Sequence, residues 1–298
     1  MTGATRNGGG RRPRVARVGE VVRSSRVTPH MIRVVLGGDG LAGFPAGEFA
    51  DHYVKLLFTP PDAPYGVPFD VEQVRAEFPP ELWPVTRTYT VRAWDADRGE
   101  LTIDFVHHGD EGLAGPWAAA AAPGDRIQFF GPGGAYLPAS TADWHLLVGD
   151  ESALPAIGAA LPRLPAGVPA LVFVEVEGPA EQQTDLVLAD GVTVVWVHRE
   201  GRAPGEALVA AVTAVDLPAG TGHVFVHGEA VMVRELRRHL RAERGLDPEF
   251  TSISGYWRRG DTEDGWQAGK REWNAQIEAE DGAEDDAGDG AGDQALAG

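Results

Sequence analysis

The hydrophobic pattern of this chain changes period at "TADWHLLVGD", Thr141 to Asp150. Before it, from Val15 to Pro138, short runs rich in β-formers are separated by Gly and Pro: "HMIRVVL", "YVKLLF", "TRTYTVRAW", "LTIDFVHH" and "DRIQFF". In "LTIDFVHH", Leu101, Ile103 and Phe105 take one face while Thr102 and Asp104 take the other, as on a half-buried strand. Several such runs joined by turn residues predict an antiparallel sandwich or barrel. After Thr141, apolar strands alternate with helical stretches. "HLLVGD", "ALVFVEV", "VTVVWVHR", "HVFVHGE" and "TSISGYW" read as strands, and "SALPAIGAAL", "GEALVAAV" and "AVMVRELRRHLRAERGL" as the helices among them. In the last helix Met232, Val233, Leu236 and Leu240 form a stripe, and Gly245 is placed to end it. Such alternation implies a parallel sheet with crossover connections.

The expected architecture is therefore two-domain. An antiparallel β-barrel spans 14–139 and an α/β parallel-sheet domain spans 140–260, each of ordinary domain size. No internal repeat is visible. Beyond them, "TEDGWQAGKREWNAQIEAE" spaces Trp266, Trp273 and Ile277 to suit an amphipathic helix, expected over 261–280 and docked on the body without chemistry of its own. The remainder, 281–298, is low-complexity, acidic and expected to be disordered, as a solubilising tail. Residues 1–13, rich in Gly and Arg, are expected to be flexible.

Charge and composition exclude several function classes. The 298 residues carry 26 Lys and Arg against 44 Asp and Glu, a formal charge of −18. From Gln276 onward there are eight acidic residues and no basic one, which leaves about −10 for the rest. A nucleic-acid partner would want a basic face instead. There is no cysteine, so disulfides, thiolate metal sites and cysteine nucleophiles are excluded, and a reducing compartment suits the chain. No apolar stretch approaches the ~20 residues of a membrane span. The basic N-terminus has no apolar run behind it, unlike a signal peptide. The expectation is a cytoplasmic protein without membrane insertion.

Two segments could carry chemistry. In "GDESALPAIGAAL" a strand ending at Gly149 feeds a helix starting near Ser152 or Ala153, where α/β sheets bind phosphorylated ligands. Asp150 and Glu151 would repel a diphosphate placed on them, and a plain βα turn with an Asp cap accounts for the pattern equally well. In "FVHHGDEGLAGPWAAAAAPGD", Gly109, Gly112 and Gly115 surround Trp117 before an alanine run; these offer backbone donors to phosphate, or only a turn between strands. His107 and His108 point to opposite faces of a strand and do not chelate one ion together. There is no G-x-S-x-G elbow and no P-loop, and nothing singles out a catalytic carboxylate pair.

"TRTYTVR", Thr86 to Arg92, sets a guanidinium, a phenol and a hydroxyl on one short strand. A barrel followed by a parallel α/β domain, with Arg-x-Tyr-Thr in the barrel, resembles the ferredoxin–NADP reductase superfamily. Taken together, "DHYVKLLF", "TRTYTVR", "IDFVHHG", "GPWAAAAAPGD", "GDESALPAI", "HGEAVMVRELRRHL" and "SGYWRRG" resemble the siderophore-interacting proteins, NAD(P)H-dependent ferric-siderophore reductases. The resemblance runs from about Arg14 to Trp273. Two positions depart from it: Tyr53 stands where many relatives have His, with His52 one place earlier, and Gly115 stands where many have Ser.

The resemblance implies a site. Arg87 would neutralise the diphosphate of FAD, Tyr89 would pack its ring on the flavin, and Thr90 would put a donor near the flavin N5, with Thr88 between them. Asp104, Val106, His108, Gly109, Ala114, Gly115, Pro116 and Trp117 would complete the FAD site. Gly149, Asp150, Glu151, Ser152 and Ala153 would border the nicotinamide nucleotide. Trp196, His198 and Arg199 would lie near its ribose or adenine, with Arg199 a candidate partner for the 2′-phosphate of NADPH. Gly228 and Glu229 end another strand, and Tyr256 and Trp257 would close the sheet near the flavin. Lys55, Arg258 and Arg259 would attract an anionic ferric siderophore. The implied activity is iron release as Fe(II) by an FAD-dependent reductase using NADPH or NADH, with ferredoxin as another donor, a monomeric state and no protein-bound metal. The rivals are a general flavin or ferredoxin-type reductase and a siderophore-binding protein without turnover.

Overall fold

The computed structural model describes residues 16–47 and 49–292, with side chains to Ala279. Two sheets organise it. The first is antiparallel, built from β1 (Arg17–Thr28), β2 (Met31–Gly37), β3 (Tyr53–Phe58), β4 (Val85–Thr90), β5 (Ala93–Asp95), β6 (Glu100–Val106) and β7 (Arg126–Gly133), in the order β4-β3-β7-β1-β2-β6-β5. Its two edge strands, β4 and β5, are consecutive in the chain and separated only by Val91 and Arg92. So short a link forces the edges together and curls the sheet into a barrel. Its amides mark the seam: Val91 N donates to His52 O at 2.6 Å, and Arg92 N to Thr102 O at 2.9 Å. Val34, Leu36, Val54, Leu56, Leu101, Ile103, Phe105 and Phe129 fill the interior, as alternation predicts. The longest strand, β1, is not among the runs singled out from the sequence. Its outward positions are polar and its pairing is interrupted by bulges, so its period is blurred. Two short helices lie on the barrel, α1 (Val71–Glu77), capped by the Asp70 carboxylate, and α2 (Ala114–Ala120).

The second sheet is parallel, in the order β10-β9-β8-β11-β12. Its strands are β8 (Trp144–Gly149), β9 (Ala170–Val176), β10 (Val192–His198), β11 (Gly222–Glu229) and β12 (Thr251–Trp257). Helices α3 (Leu154–Ala160), α4 (Glu206–Thr213) and α5 (Ala230–Arg238) connect them. Leu146 and Val148 face the α4 and α5 layer while Leu147 faces α3, all fully buried. Burial on both faces is why β8 reads as one apolar run. Chain order turns from one side of β8 to the other between β8 and β11, which opens a crevice at the carboxyl ends of those strands.

The last helix, α6 (Glu263–Gly292), lies where the amphipathic segment was expected and continues past it. Trp266 is buried in a slot left by Gly255, where an added Cβ would come within 2.9 Å of the indole. Trp273 packs on Trp266 at 5.2 Å, and Ile277 is buried as well. The expectation of disorder over 281–298 is corrected in part, since α6 runs on through residue 292; the segments at 1–13 and 293–298, also expected to be flexible or disordered, fall outside the described residues.

Side chains tie the two domains together. Glu181, in the turn after β9, accepts from Thr28 Oγ1 at 2.6 Å and His30 N at 3.1 Å, and pairs with His30 Nδ1 at 2.7 Å. Arg33 on β2 joins Asp104 of β6 to Asp185 of the second domain.

Candidate functional site

The barrel's contribution is β4. Its partner β3 sets which way each residue faces: Arg87 lies opposite Leu56 and Tyr89 opposite Val54, while Thr88 lies opposite Lys55 and Thr90 opposite Tyr53. Leu56 and Val54 belong to the core, so Arg87 and Tyr89 share the inner face and Thr88, Thr90, Lys55 and Tyr53 the outer one. The Tyr89 ring rests on Phe105 at 4.4 Å, and burial raises its phenol above the usual range. Because β4 is an edge strand, Arg87 reaches over it. There its Nε meets Glu263 Oε2 at 3.1 Å, and its Nη1 and Nη2 donate to the two Asp264 oxygens at 2.9 and 3.1 Å. Thr88 N donates to Glu263 Oε1 at 3.3 Å.

Against β2 and β6, α2 starts at Ala114 with no side chain capping it. Gly115 lies on the end of β6, where an added Cβ would approach Val106 O to 3.2 Å. A side chain there would lift the helix start away, so the departure from Ser to Gly keeps backbone against backbone. His108 and Gly109 are exposed beside it, and Pro116 is half-buried. Although its surface is exposed, packing around the His108 ring desolvates it and, with His30 next, lowers its pKa. Trp117 packs its indole on Phe105 and Phe58 at 5.7 and 5.9 Å, making it a support of the barrel core.

Asp104 needs a correction. It is 1% exposed, and Arg33 binds both its oxygens at 2.6 and 2.7 Å with Arg92 at 3.8 Å. That leaves its carboxylate no face for a cofactor.

In the second domain the carboxyl ends of β8, β11 and β12 meet, and Asp150 is their hub. It accepts from Glu229 N at 2.9 Å, Trp257 Nε1 at 2.8 Å, and Ser152 N and Oγ at 2.9 and 2.5 Å. Ala153 is buried under the turn. Glu229 caps α5 by accepting from Val231 N and Met232 N, and also receives Arg259 N at 3.2 Å. Gly149 and Gly228 therefore supply backbone to the crevice, while the two acids hold its shape. Burial raises the Tyr256 phenol, whose ring lies 4.9 Å from His227. On the far side Trp196 packs on the α3 layer and His198 Nε2 lies 2.9 Å from Gln182 Nε2.

Arg199 is the second correction. It does not face an open phosphate position, because Glu151, Glu175 and Glu177 surround its guanidinium. Nη1 reaches Glu151 Oε2 at 3.1 Å and Glu175 Oε1 at 3.5 Å. Glu175 is itself 0% exposed and accepts Gly205 N and Leu208 N at the start of α4. Burial raises the pKa of both Glu151 and Glu175.

Half-buried Lys55 lines an open cavity of about 470 Å³ with Arg17, Pro45, Tyr53 and the Phe130–Gly133 end of β7. Arg258 and Arg259 are exposed, Arg258 Nε lying 4.0 Å from Asp261. Reading the sequence missed Glu263 and Asp264 as partners of Arg87, since acids in the first turn of a helix ordinarily serve only its dipole. Among the described residues no group of three or more His, Asp or Glu is placed to hold a metal ion, and no helix is long and apolar enough to cross a membrane.

Comparison with known proteins places this geometry. The siderophore-interacting FAD-binding domain matches residues 20–136, and the siderophore-interacting protein domain matches 142–260. The chain belongs to the siderophore-interacting protein family. A siderophore utilization protein from T. fusca is 38% identical with a TM-score of 0.72, covering 84% of this chain and 95% of that one. The ferric vibriobactin reductase of Vibrio cholerae is 33% identical over 249 residues, 83% of this chain and 91% of its own length. The NADPH-dependent ferric-chelate reductase of Escherichia coli is 34% identical over 242 residues, 80% and 91%.

The residues present fit the flavin dinucleotide that the family implies. Arg87 already grips three carboxylate oxygens with the fork that suits phosphate.

Proposed function

We propose that the protein is an FAD-containing, NADPH-dependent ferric-siderophore reductase that frees iron as Fe(II), acting as a cytoplasmic monomer. One observation carries the reading. The Arg87–Thr90 strand of the barrel and the carboxyl ends of β8, β11 and β12 are joined by contacts at the start of α6, a few residues after β12 ends. A flavin held on the first and a nicotinamide nucleotide in the second would lie side by side. The names of the Vibrio and Escherichia relatives support the substrate class and the electron donor.

FAD, when bound, supplies the chemistry of taking a hydride and giving up single electrons. The chain's own residues bind and orient. Arg87 and Thr88 N would hold the diphosphate, and Tyr89, Thr90, Val106, His108, Gly109, Ala114, Gly115 and Pro116 would shape the remaining flavin contacts. Gly149, Ser152 and Gly228 offer backbone or hydroxyl to the nucleotide, while Asp150, Glu229 and Trp257 lock the crevice. The 2′-phosphate is read by residues other than Arg199, whose fork is taken. Lys55, Arg258 and Arg259 draw an anionic ferric complex against the long-range repulsion of a chain at −18. Fe(II) binds hard oxygen donors more weakly than Fe(III), so reduction releases it.

Anaerobic titration with NADPH, a ferric siderophore and an Fe(II) trap tests this, with NADH and reduced ferredoxin as alternative donors. Flavin reduction followed by trapped Fe(II) is expected. Reduction without iron release would indicate a general reductase, and no reduction a binding protein.

A further inference from the structure

The first turn of α6 lies where a cofactor phosphate is expected. Arg87, with a side chain 13% exposed, has its fork filled by Asp264 through two parallel bonds and its Nε filled by Glu263. The same Glu263 accepts the Thr88 amide. A guanidinium and a strand amide converging on anionic oxygens is the donor set a diphosphate would use. Here the chain satisfies it with its own carboxylates. Lys55, opposite Thr88, adds attraction for Glu263.

This contact is built to be held without being locked. The Glu263 and Asp264 side chains are 33% and 69% exposed, so the pair gains little from low dielectric. Asp264 repels Glu263, and desolvation raises the Glu263 pKa. The anchors of α6 lie elsewhere on the helix: Trp266 in its slot, Trp273 and Ile277. Glu263, Trp266, Lys270, Trp273 and Ile277 follow one another at helical spacing on the docked face. The first turn is fastened otherwise by the Thr262 cap, Oγ1 accepting Gly265 N at 3.1 Å. It can let go of Arg87 while the indoles keep the helix in place.

Resting on the reading that FAD places its diphosphate at Arg87, we infer that Glu263 and Asp264 are an internal anionic plug that competes with FAD for Arg87 and the Thr88 amide. Cofactor binding and docking of the first turn of α6 exclude one another. The plug lowers FAD affinity below what the barrel alone would give and keeps Arg87 paired when the cofactor is absent.

The test is titration of cofactor-free protein with FAD, read by quenching of flavin fluorescence, in parent and in the E263Q/D264N double variant, with riboflavin as the ligand lacking phosphate. The plug requires FAD to bind the variant about three- to tenfold tighter, with riboflavin affinity unchanged. Equal FAD affinities would overturn it. Weaker FAD binding in the variant would also overturn it, and would make the two acids positioning residues for Arg87. A parent that does not bind FAD at all would refute the underlying flavin reading instead. Hydrogen exchange on the parent gives a second readout: FAD must speed exchange at Gly265 to Ala268, and unchanged or slower exchange there counts against the plug.

Discussion

Arg87 in the barrel and Arg199 in the α/β domain are each the arginine that a phosphate was expected to meet, and each is found holding carboxylates. The partners differ in kind. Those of Arg199 come from within its own domain, and Glu175 is completely buried and tied to the backbone of α4. Those of Arg87 come from the first turn of α6, Glu263 partly and Asp264 largely exposed, on a helix anchored through other residues. Both guanidinium side chains are nearly buried, and Arg199 also meets the exposed Glu177, but its Glu175 is buried and held by backbone donors, which makes Arg199 part of the framework. Arg87 has no such fixed partner and is free to serve as a binding group. Residue type and position at a strand end do not separate the two cases; whether a counter-ion is buried and tied to backbone does.

The comparison can be broken most directly at Arg199. Arg199→Ala strands a fully buried Glu175 beside Glu151, which should cost about 3–5 kcal/mol of unfolding free energy in a urea titration. An undiminished midpoint together with a changed NADPH to NADH preference would return Arg199 to the role of phosphate reader.

Acid should loosen the α/β domain by a related route. His145 is 1% exposed, neither ring nitrogen has a partner, and burial takes its pKa from 6.5 down to about 4. The unfolded chain takes up a proton near 6.5 that the folded one refuses until about 4. Stability is therefore intact above that window and falls across it as pH drops, by about 3 kcal/mol. His145→Leu should flatten this part of the pH dependence, and an unaltered profile would show that His145 is not its source.

Arg87→Ala is expected to behave in the opposite way to Arg199→Ala. Its stability cost should stay below about 1 kcal/mol, since Asp264 is largely and Glu263 partly exposed. FAD affinity should fall at least about tenfold, through loss of the fork and exposure of the phosphate to two unpaired acids. The smallest effect is at Lys55. Lys55→Ala should raise KM for an anionic ferric siderophore about threefold at low salt and leave NADPH-driven flavin reduction alone, with the difference shrinking as salt screens the charge. Equal KM values at low salt would remove Lys55 from the substrate's path.

Much of this was legible in the sequence where the signal is local. The change of period at Thr141 told an antiparallel sheet from the parallel one after it, because a two-residue and a 3.6-residue repeat impose themselves on neighbours in the chain. Likewise Trp266, Trp273 and Ile277 announced a docked helix by spacing alone. What escaped depends on pairing across long separations. Nothing near Arg87 points to Asp264, and nothing near Asp104 tells that Arg33 folds over it. The acids around Arg199 lie on two separate segments, the turn after β8 and the end of β9, and Glu200 immediately after it, the one visible in sequence, is not among them.

Glu181 and the turn at Thr28 and His30 carry a lesson about modularity. One carboxylate serves three donors from the other domain, at 2.6, 3.1 and 2.7 Å. Barrel and nucleotide domain therefore do not behave as interchangeable cassettes. A chimera joining this barrel to a relative's second domain would keep both folds yet lose the clasp unless residue 181 travelled with residues 28 and 30. Recombination between relatives is then constrained at a place far from any cofactor, and these three positions should drift together across lineages.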